Sequence, residues 1–599
     1  MRSACALLLL ILAQAAPADA YPSTQTLLEE LRKATLGRSY ASISSIHTIS
    51  SVEVAGIAGR AQEWDDLHGG RFTTDQNAGA LSGASGWDGR VAWNQDYAGL
   101  VTIDGGSAGR MEAADQAYLD NLRYLRADAG GATAIYAGRR ESGGTTYDVL
   151  AVTPPDGSEM DLWIGPRSHL IERVTTTIGS TTSTTAMSNY RRVDGITFAF
   201  ASSTQLSRGE TFAQRVLSLE LNTDVADRMR VPGQNVHDYS VTSGTTNVPI
   251  DIVNSNVYVR GVTIDGHGPY TFVLDSGGDY ILAPDVAAAL QAKSSGAAFA
   301  HVNSIAIGGA VVRNQYMTVS PIAIGLRVSE GLQVDGMLGY QFLARFLTTI
   351  DYAGSKLTLT TPSSLPAAAP GAAAMQLFFD RTIPRINVNV NDVTVSTEVD
   401  TGNRAGLELS APFLAMHPAV AALAKTPPGV VGLGVGGPVY ARLGRIPLLQ
   451  IGPYQVANSI ASFAIGGGDA FADPLNPASL GGPILRRFTL TFDYAHEQLL
   501  LTKNAGFDTP SNYDRSGLFL IDSDGAYTVL SVFAGSPAAT AALAQGDVIL
   551  AINGAPAANE SLAALRQLLA GPAGSVVRLH VRGPAGHERD AMLTLRDYV

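Results

Sequence analysis

Apolar positions fall mostly in short runs and alternations of period two, separated by Gly, Pro, Asn and Asp. Thr146 to Thr153 and Glu159 to Ile164, divided by the turn Pro154-Pro155-Asp156-Gly157, are typical strands of this kind. Helical spacing is rare. It covers Thr26 to Thr35 and a second stretch near Glu112 to Arg126, where Leu119, Leu122 and Leu125 recur. The pattern predicts a mostly β chain, and 599 residues are too many for one core, so several domains are expected. Turn-rich breaks at Pro232 to Gly244, Pro362 to Gly371 and Lys503 to Ser516 divide it into units at 21–235, 245–362, 373–503 and 515–599.

Composition removes several function classes. With 46% hydrophobic and 16% charged residues the chain is neither disordered nor fibrous. A net charge of −12 without basic runs argues against nucleic acid as a partner. Arg2, the apolar run Leu7 to Leu12 and the small-x-small pattern Ala18-Asp19-Ala20 read as a signal peptide over 1–20, cut before Tyr21. The product is expected to be exported, periplasmic or secreted, with no transmembrane segment. The single cysteine, Cys5, lies within that signal, so no disulfide, thiolate metal site or cysteine nucleophile is expected in the mature chain. The ten histidines show no metal-ligand spacing, and His267 reads as a solvated turn residue, so neither metal nor cofactor is expected.

Units two and three are copies of each other. Leu338-Gly339, Arg345-Phe346 and Asp351-Tyr352-Ala353 in the first recur as Leu480-Gly481, Arg487-Phe488 and Asp493-Tyr494-Ala495 in the second. Upstream, each copy has an apolar strand ending in Asp-Ser/Thr-Gly: Asp275-Ser276-Gly277 and Asp400-Thr401-Gly402. One such tripeptide means little; two, in matching places of a duplicated unit, mean more. This arrangement resembles the retropepsin-like aspartic proteases, and the tandem pair resembles a pepsin-like bilobal enzyme in one chain, with β-barrel lobes at 245–362 and 373–503. The resemblance implies an endopeptidase in which Asp275 and Asp400 are catalytic, Ser276 and Thr401 tie the two loops together, and Gly277 and Gly402 let backbone amides approach the carboxylates. Paired carboxylates suit this chemistry because two close carboxyls share one proton, giving an acid and a base from one residue type.

Two positions depart from the family pattern. Gly278 and Asn403 stand where Ser, Thr or Ala is usual, and a glycine offers the dyad no side-chain hydrogen bond, so a mildly acidic to near-neutral optimum is expected. The second copy is longer, and the surplus falls at Gly432, Gly434, Gly436 and Gly437, which resembles the mobile flap that closes over substrate. The first copy has only Ser294-Ser295-Gly296 there, so a single flap is expected.

Residues 515–599 resemble a bacterial-type PDZ domain. Ser516, Gly517, Leu518, Phe519 and Leu520 match the carboxylate-binding loop and its strand, and Gly546-Asp547-Val548-Ile549-Leu550-Ala551-Ile552-Asn553-Gly554 matches the most recognisable stretch. The resemblance implies that a peptide adds as a strand at Leu518, its side chain entering a pocket beside a helix at Ser561 to Leu569.

The first unit reads as antiparallel sheet and holds all four tryptophans, Trp64, Trp87, Trp93 and Trp163. Gly86 to Trp93 and Asp161 to Pro166 resemble the half-barrel domains of periplasmic lipoprotein carriers, which implies a concave sheet able to cradle an acyl chain or peptide. Read from the residues alone, the tryptophans are core. Gly105-Gly106-Ser107-Ala108-Gly109 fits a nucleophile-elbow pattern, but an antiparallel unit lacks the alternating strands and helices that elbow needs, so a plain turn is expected. The expectation is an exported aspartic endopeptidase acting on proteins or peptides, with a substrate-recruiting PDZ domain. The rival is an inactive peptide-binding scaffold.

Overall fold

The computed structural model describes residues 21–295, 298–362, 371–434, 436–466 and 470–599. The expected export signal, Gly296 and most of the break at Pro362 to Gly371 lie outside them. The described chain is mostly β, and none of its helices is long and apolar enough to cross a membrane.

The first unit opens with helix α1 (Thr24–Thr35), which starts two residues before the periodic stretch because Ser23 caps it, its hydroxyl accepting from the Thr26 amide. Leu27, Leu28 and Leu31 are buried. The strand Ser45–Val54 pairs on one side with Ile57–Asp66 and on the other with Thr211–Leu221, so the last long strand returns to the first and the sheet curls. Helix α2 (Ser107–Asp120) packs Ala113 and Ala117 on Phe72, Trp87 and Ala92. It ends earlier than expected. Leu122 takes left-handed backbone at φ 52°, the buried Asn121 amide donates back to the Ala117 carbonyl, and Arg123–Leu125 form a separate turn. Gly105 to Gly109 lead from a strand into α2, with Gly106 as the cap. Trp64, Trp87 and Trp93 are core, whereas Trp163 is half-buried beneath Arg140 and Arg173. His267 is exposed at the start of a strand.

The stretch at Pro232 to Gly244, read above as a linker, is tied down. Tyr239–Val241 pairs with Ala310–Val312, and the Asp238 carboxylate receives Arg345, whose side chain is fully buried and also reaches Asp96. A buried guanidinium needs such partners. The break at Lys503 to Ser516 is likewise held: Phe507 is buried in the core and its carbonyl accepts from Arg487 at 2.6 Å.

Residues 245–360 and 373–503 fold alike. Each has a hairpin leading to its Asp motif (Asn256–Ile264 with His267–Leu274; Ile383–Val390 with Val393–Val399). Each then has a short strand, Gly336–Leu338 or Ala478–Leu480, lying parallel to the one that carries the Asp. Six strands run across the junction in the order Thr245–Val253, Lys356–Thr360, Leu347–Asp351, Phe488–Asp493, Gln498–Lys503, Ala373–Gln376. One apolar cluster reaches from Val248 to Phe507 through both halves, so they form one body. Helix α3 (Ile322–Glu330) occurs in the first half.

Residues 515–599 make a small sheet with its own core and helix α4 (Leu562–Leu569), for which Ser561 is the cap.

Candidate active site and peptide groove

The two Asp motifs meet. The Ser276 amide donates to Thr401 Oγ1 at 3.0 Å and the Thr401 amide donates to Ser276 Oγ at 3.0 Å. Each hydroxyl then donates across the junction, Ser276 to the Val399 carbonyl at 2.6 Å and Thr401 to the Leu274 carbonyl at 2.7 Å. Both side chains are fully buried, so all four groups must be satisfied here or nowhere.

This grip sets each carboxylate over the partner loop. A Cβ on Gly402 would sit 2.4 Å from Asp275 Cγ, and one on Gly277 would sit 2.9 Å from Asp400 Cγ. Glycine is required at both places by that approach. The Gly277 and Gly402 amides donate to the carboxylate of their own motif, at 3.0 and 2.9 Å. From behind, the Asp275 and Asp400 amides donate to the carbonyls of Leu338 and Leu480, each at 3.0 Å. Gly339 and Gly481 follow, where a Cβ would lie 2.0 Å from the Gly278 carbonyl and 2.1 Å from the Ala405 carbonyl.

The electrostatics follow from burial. Desolvation raises Asp275 well above the usual carboxylate range, and the neighbouring Asp400 adds to it. Asp400 is raised too, by desolvation first and then by Glu398. Glu398 is a residue that motif reading passed over. It stands two positions before Asp400, is itself raised to about 7 by burial, and brings Oε1 to 2.6 Å from where a Gly277 Cβ would be. Arg385 offsets part of its cost. The signal available in the sequence was an acidic residue among the Val, Thr and Ser residues of the strand that leads into the Asp motif. Gly278 lies beside Asp275, its Cβ position 3.0 Å from Oδ2, and as a glycine offers no side-chain hydrogen bond, while Asn403 turns away to donate to Glu408 at 2.6 Å.

The glycines Gly432, Gly434, Gly436 and Gly437 lie at the end of a hairpin, Gly429–Gly434 with Gly437–Ile451, where Gly434 faces Gly437. Residue 435 is outside the described part. The first half is not bare at this place: Lys293–Ser295 pairs with Phe299–His301 in a shorter hairpin.

At the other end of the chain, the strand Leu518–Ser523 has Ala526–Val532 as its one sheet partner among the described residues and α4 beside it, so the groove expected for a peptide lies along its outer edge. Residues 528–583 match the PDZ domain family. The chain carries a PDZ domain. The match begins beyond Ser516 to Leu520, and the structure alters the expectation for those residues. The Ser516 and Gly517 amides donate to the Asp514 carboxylate at 2.8 and 2.9 Å, and the Leu518 amide donates to Ser516 Oγ at 3.1 Å. The loop expected to take a peptide carboxylate thus already holds one, because the chain entering the loop folds Asp514 back beneath it. Phe519 and Leu520 are buried.

The PDZ groove is also engaged by the duplicated body. The end of α3 enters it: a Cβ on Gly331 would lie 2.7 Å from Leu562 Cβ of α4. Arg566 of α4 donates to the Leu520 carbonyl at 2.9 Å and to the carbonyl of Ser329. Glu330, 4% exposed, receives Arg566 at 3.2 Å, Arg404 at 3.1 Å and the Asn254 amide at 2.6 Å. Arg404 stands two residues after the second Asp motif, and its guanidinium lies 4.9 Å above the Phe519 ring. The flap-like hairpin touches the PDZ domain as well, at Gly429 against the Phe533 ring.

Other similarities are partial. A LolA superfamily protein of Nitrosomonas europaea is 14% identical over 35% of this chain and 98% of its own, with a TM-score of 0.26. A retropepsin-like aspartic protease from Rickettsia conorii is 20% identical over 22% of this chain and 89% of its own, at 0.17. Basic 7S globulin from soybean is 9% identical over 45% and 97%, at 0.29. No curated protein matches the chain.

Proposed function

We propose that this chain is an exported aspartic endopeptidase whose active centre is the pair Asp275 and Asp400. The observation that carries the reading is the reciprocal grip of Ser276 and Thr401, which holds each carboxyl group over the other loop's glycine. Two raised carboxyls in one site hold a shared proton over a wide pH range. In this reading the pair shares one proton, with Asp275 as the acid and Asp400 as the base. Asp400 takes a proton from a water as its oxygen attacks the scissile carbonyl carbon, while Asp275 donates to the carbonyl oxygen. Collapse of the tetrahedral species breaks the C–N bond, with a proton delivered to the leaving amine and one returned to the pair. The Gly-rich hairpin closes over the substrate and excludes water.

The PDZ domain supports peptide binding, and in this reading it recruits protein substrates once α3 leaves its groove. A peptide analogue bearing a secondary hydroxyl in place of the scissile carbonyl tests the centre. At a hundred times its Kd it adds about 2.7 kcal/mol to the stability of the wild type, and nothing to Asp400→Ala. Equal effects on both chains would favour the scaffold reading.

A further inference from the structure

The first unit holds an open-sided cavity whose chemistry proteolysis does not use. Its volume is about 510 Å³, the size of a small-ligand site. One wall is apolar, with Leu31, Ile46, Leu122, Ile171, Phe198 and Val216. On the other, the strand Ile57–Asp66 and helix α2 bring five carboxyl groups to the surface of the void. Two are answered: Arg381 pairs with Glu112, and the Ser158 amide donates to Asp115 at 2.9 Å. Glu63, Asp65 and Asp120 remain, with oxygens within 4.8 Å of one another.

Nothing cationic meets these three. No Lys, Arg or His is among the described residues that line the cavity. Asp65 is 2% exposed, and its Oδ1 has no hydrogen-bond partner among the described residues. Asp120 ends α2, where the helix dipole adds negative potential and favours a cation. Burial accordingly pushes Glu63 up to about 7 and holds Asp65 and Asp120 well above the usual range, the charge on Glu63 adding to both. A buried carboxyl without a partner for its Oδ1, on a residue that lines a roomy void beside two more carboxyls, is the observation that points to a ligand.

We propose that this cavity binds an amphiphilic organic cation, with an ammonium head among Glu63, Asp65 and Asp120 and an aliphatic or aromatic body along the apolar wall. An ammonium group offers three donors and no acceptor, which matches three clustered carboxyl groups with no cation among the described residues beside them. A bare divalent ion fits the cluster but leaves the apolar wall and most of the volume unfilled.

The test is a calorimetric titration of the full chain at neutral pH, below micelle formation, with dodecylammonium, dodecyl sulfate and calcium chloride in separate arms. Dodecylammonium saturates one site and binds at least about tenfold more tightly than dodecyl sulfate. Glu63→Gln combined with Asp120→Asn abolishes that preference while weaker binding of both chains persists. Equal binding of the two head groups, binding of neither, or tight calcium binding without amine binding would each overturn the proposal. The head-group comparison uses the wild type and stands even where the variant fails to fold.

Discussion

Thr349 and Thr491 face each other in adjacent antiparallel strands with their hydroxyls 2.8 Å apart, and each is the other's counterpart in the repeat. A residue that pairs with its own copy lies beside an approximate two-fold axis. The same axis passes between Ser276 and Thr401, which is why their four hydrogen bonds are reciprocal.

Removing one hydroxyl of that grip leaves buried groups without partners. Thr401→Ala strands the Ser276 amide and the Leu274 carbonyl and destabilises the protein by about 2–3 kcal/mol in urea unfolding. Ser276→Ala is similar, and the double variant loses less than the two singles together because they share a network. Thr401→Ser retains stability. Additive losses would show that the network is not a unit.

Glycine is needed in the catalytic loops and much less in the hairpin. Gly402→Ala drives a methyl group into Asp275, so cleavage falls by at least about a hundredfold, as for misplaced reacting groups. Gly432 has no atom within 4 Å of its Cβ position and no positive φ, so Gly432→Ala keeps near-normal activity. Gly437, at φ +106°, does not tolerate the same change. Steady-state rates for the three variants decide between them.

The raised carboxyls give a signed pH dependence. A carboxyl whose pKa is higher folded than unfolded stabilises the fold fully below its unfolded pKa, and that contribution is lost as pH rises through the folded value. Stability therefore declines from mildly acidic to neutral pH, and Asp400→Asn raises the melting temperature at neutral pH more than in acid. Removing the charge at Glu398 lets the dyad release its proton sooner, so Glu398→Gln moves the alkaline limb of the activity profile down by roughly half a pH unit or more. An unmoved alkaline limb would show that Glu398 does not act on the pair.

Arg566 bridges the PDZ groove to Glu330 and to the Leu520 carbonyl. Arg566→Ala frees that edge, and the full chain then retains peptides from a random C-terminal pool at least about tenfold better than the wild type. Equal retention would mean that α3 does not compete with peptide.

The sequence showed the parts of the site that covalent neighbours define. Two Asp motifs, their Leu-Gly partners and the duplicated blocks are contiguous strings, and they lie where the repeat implied. What it hid depends on contacts between distant residues. Arg345 reads as part of a repeat block, yet it is buried against Asp238 and Asp96, and so turns an apparent linker into ordered chain. Glu398 stands among Val, Thr and Ser residues in a strand, and only the approach of the opposite loop makes it a neighbour of the dyad. Asp514 lies two residues before the stretch that resembles a carboxylate loop and fills it.

The most direct test of the central claim is cleavage of an unfolded protein by the mature chain from acidic to weakly basic pH, with Asp275→Asn and Asp400→Asn assayed separately. The account predicts cleavage with a mildly acidic to near-neutral optimum and its loss in both single variants. Activity that survives either substitution, or a wild type that binds peptide but cleaves at no pH, would contradict it.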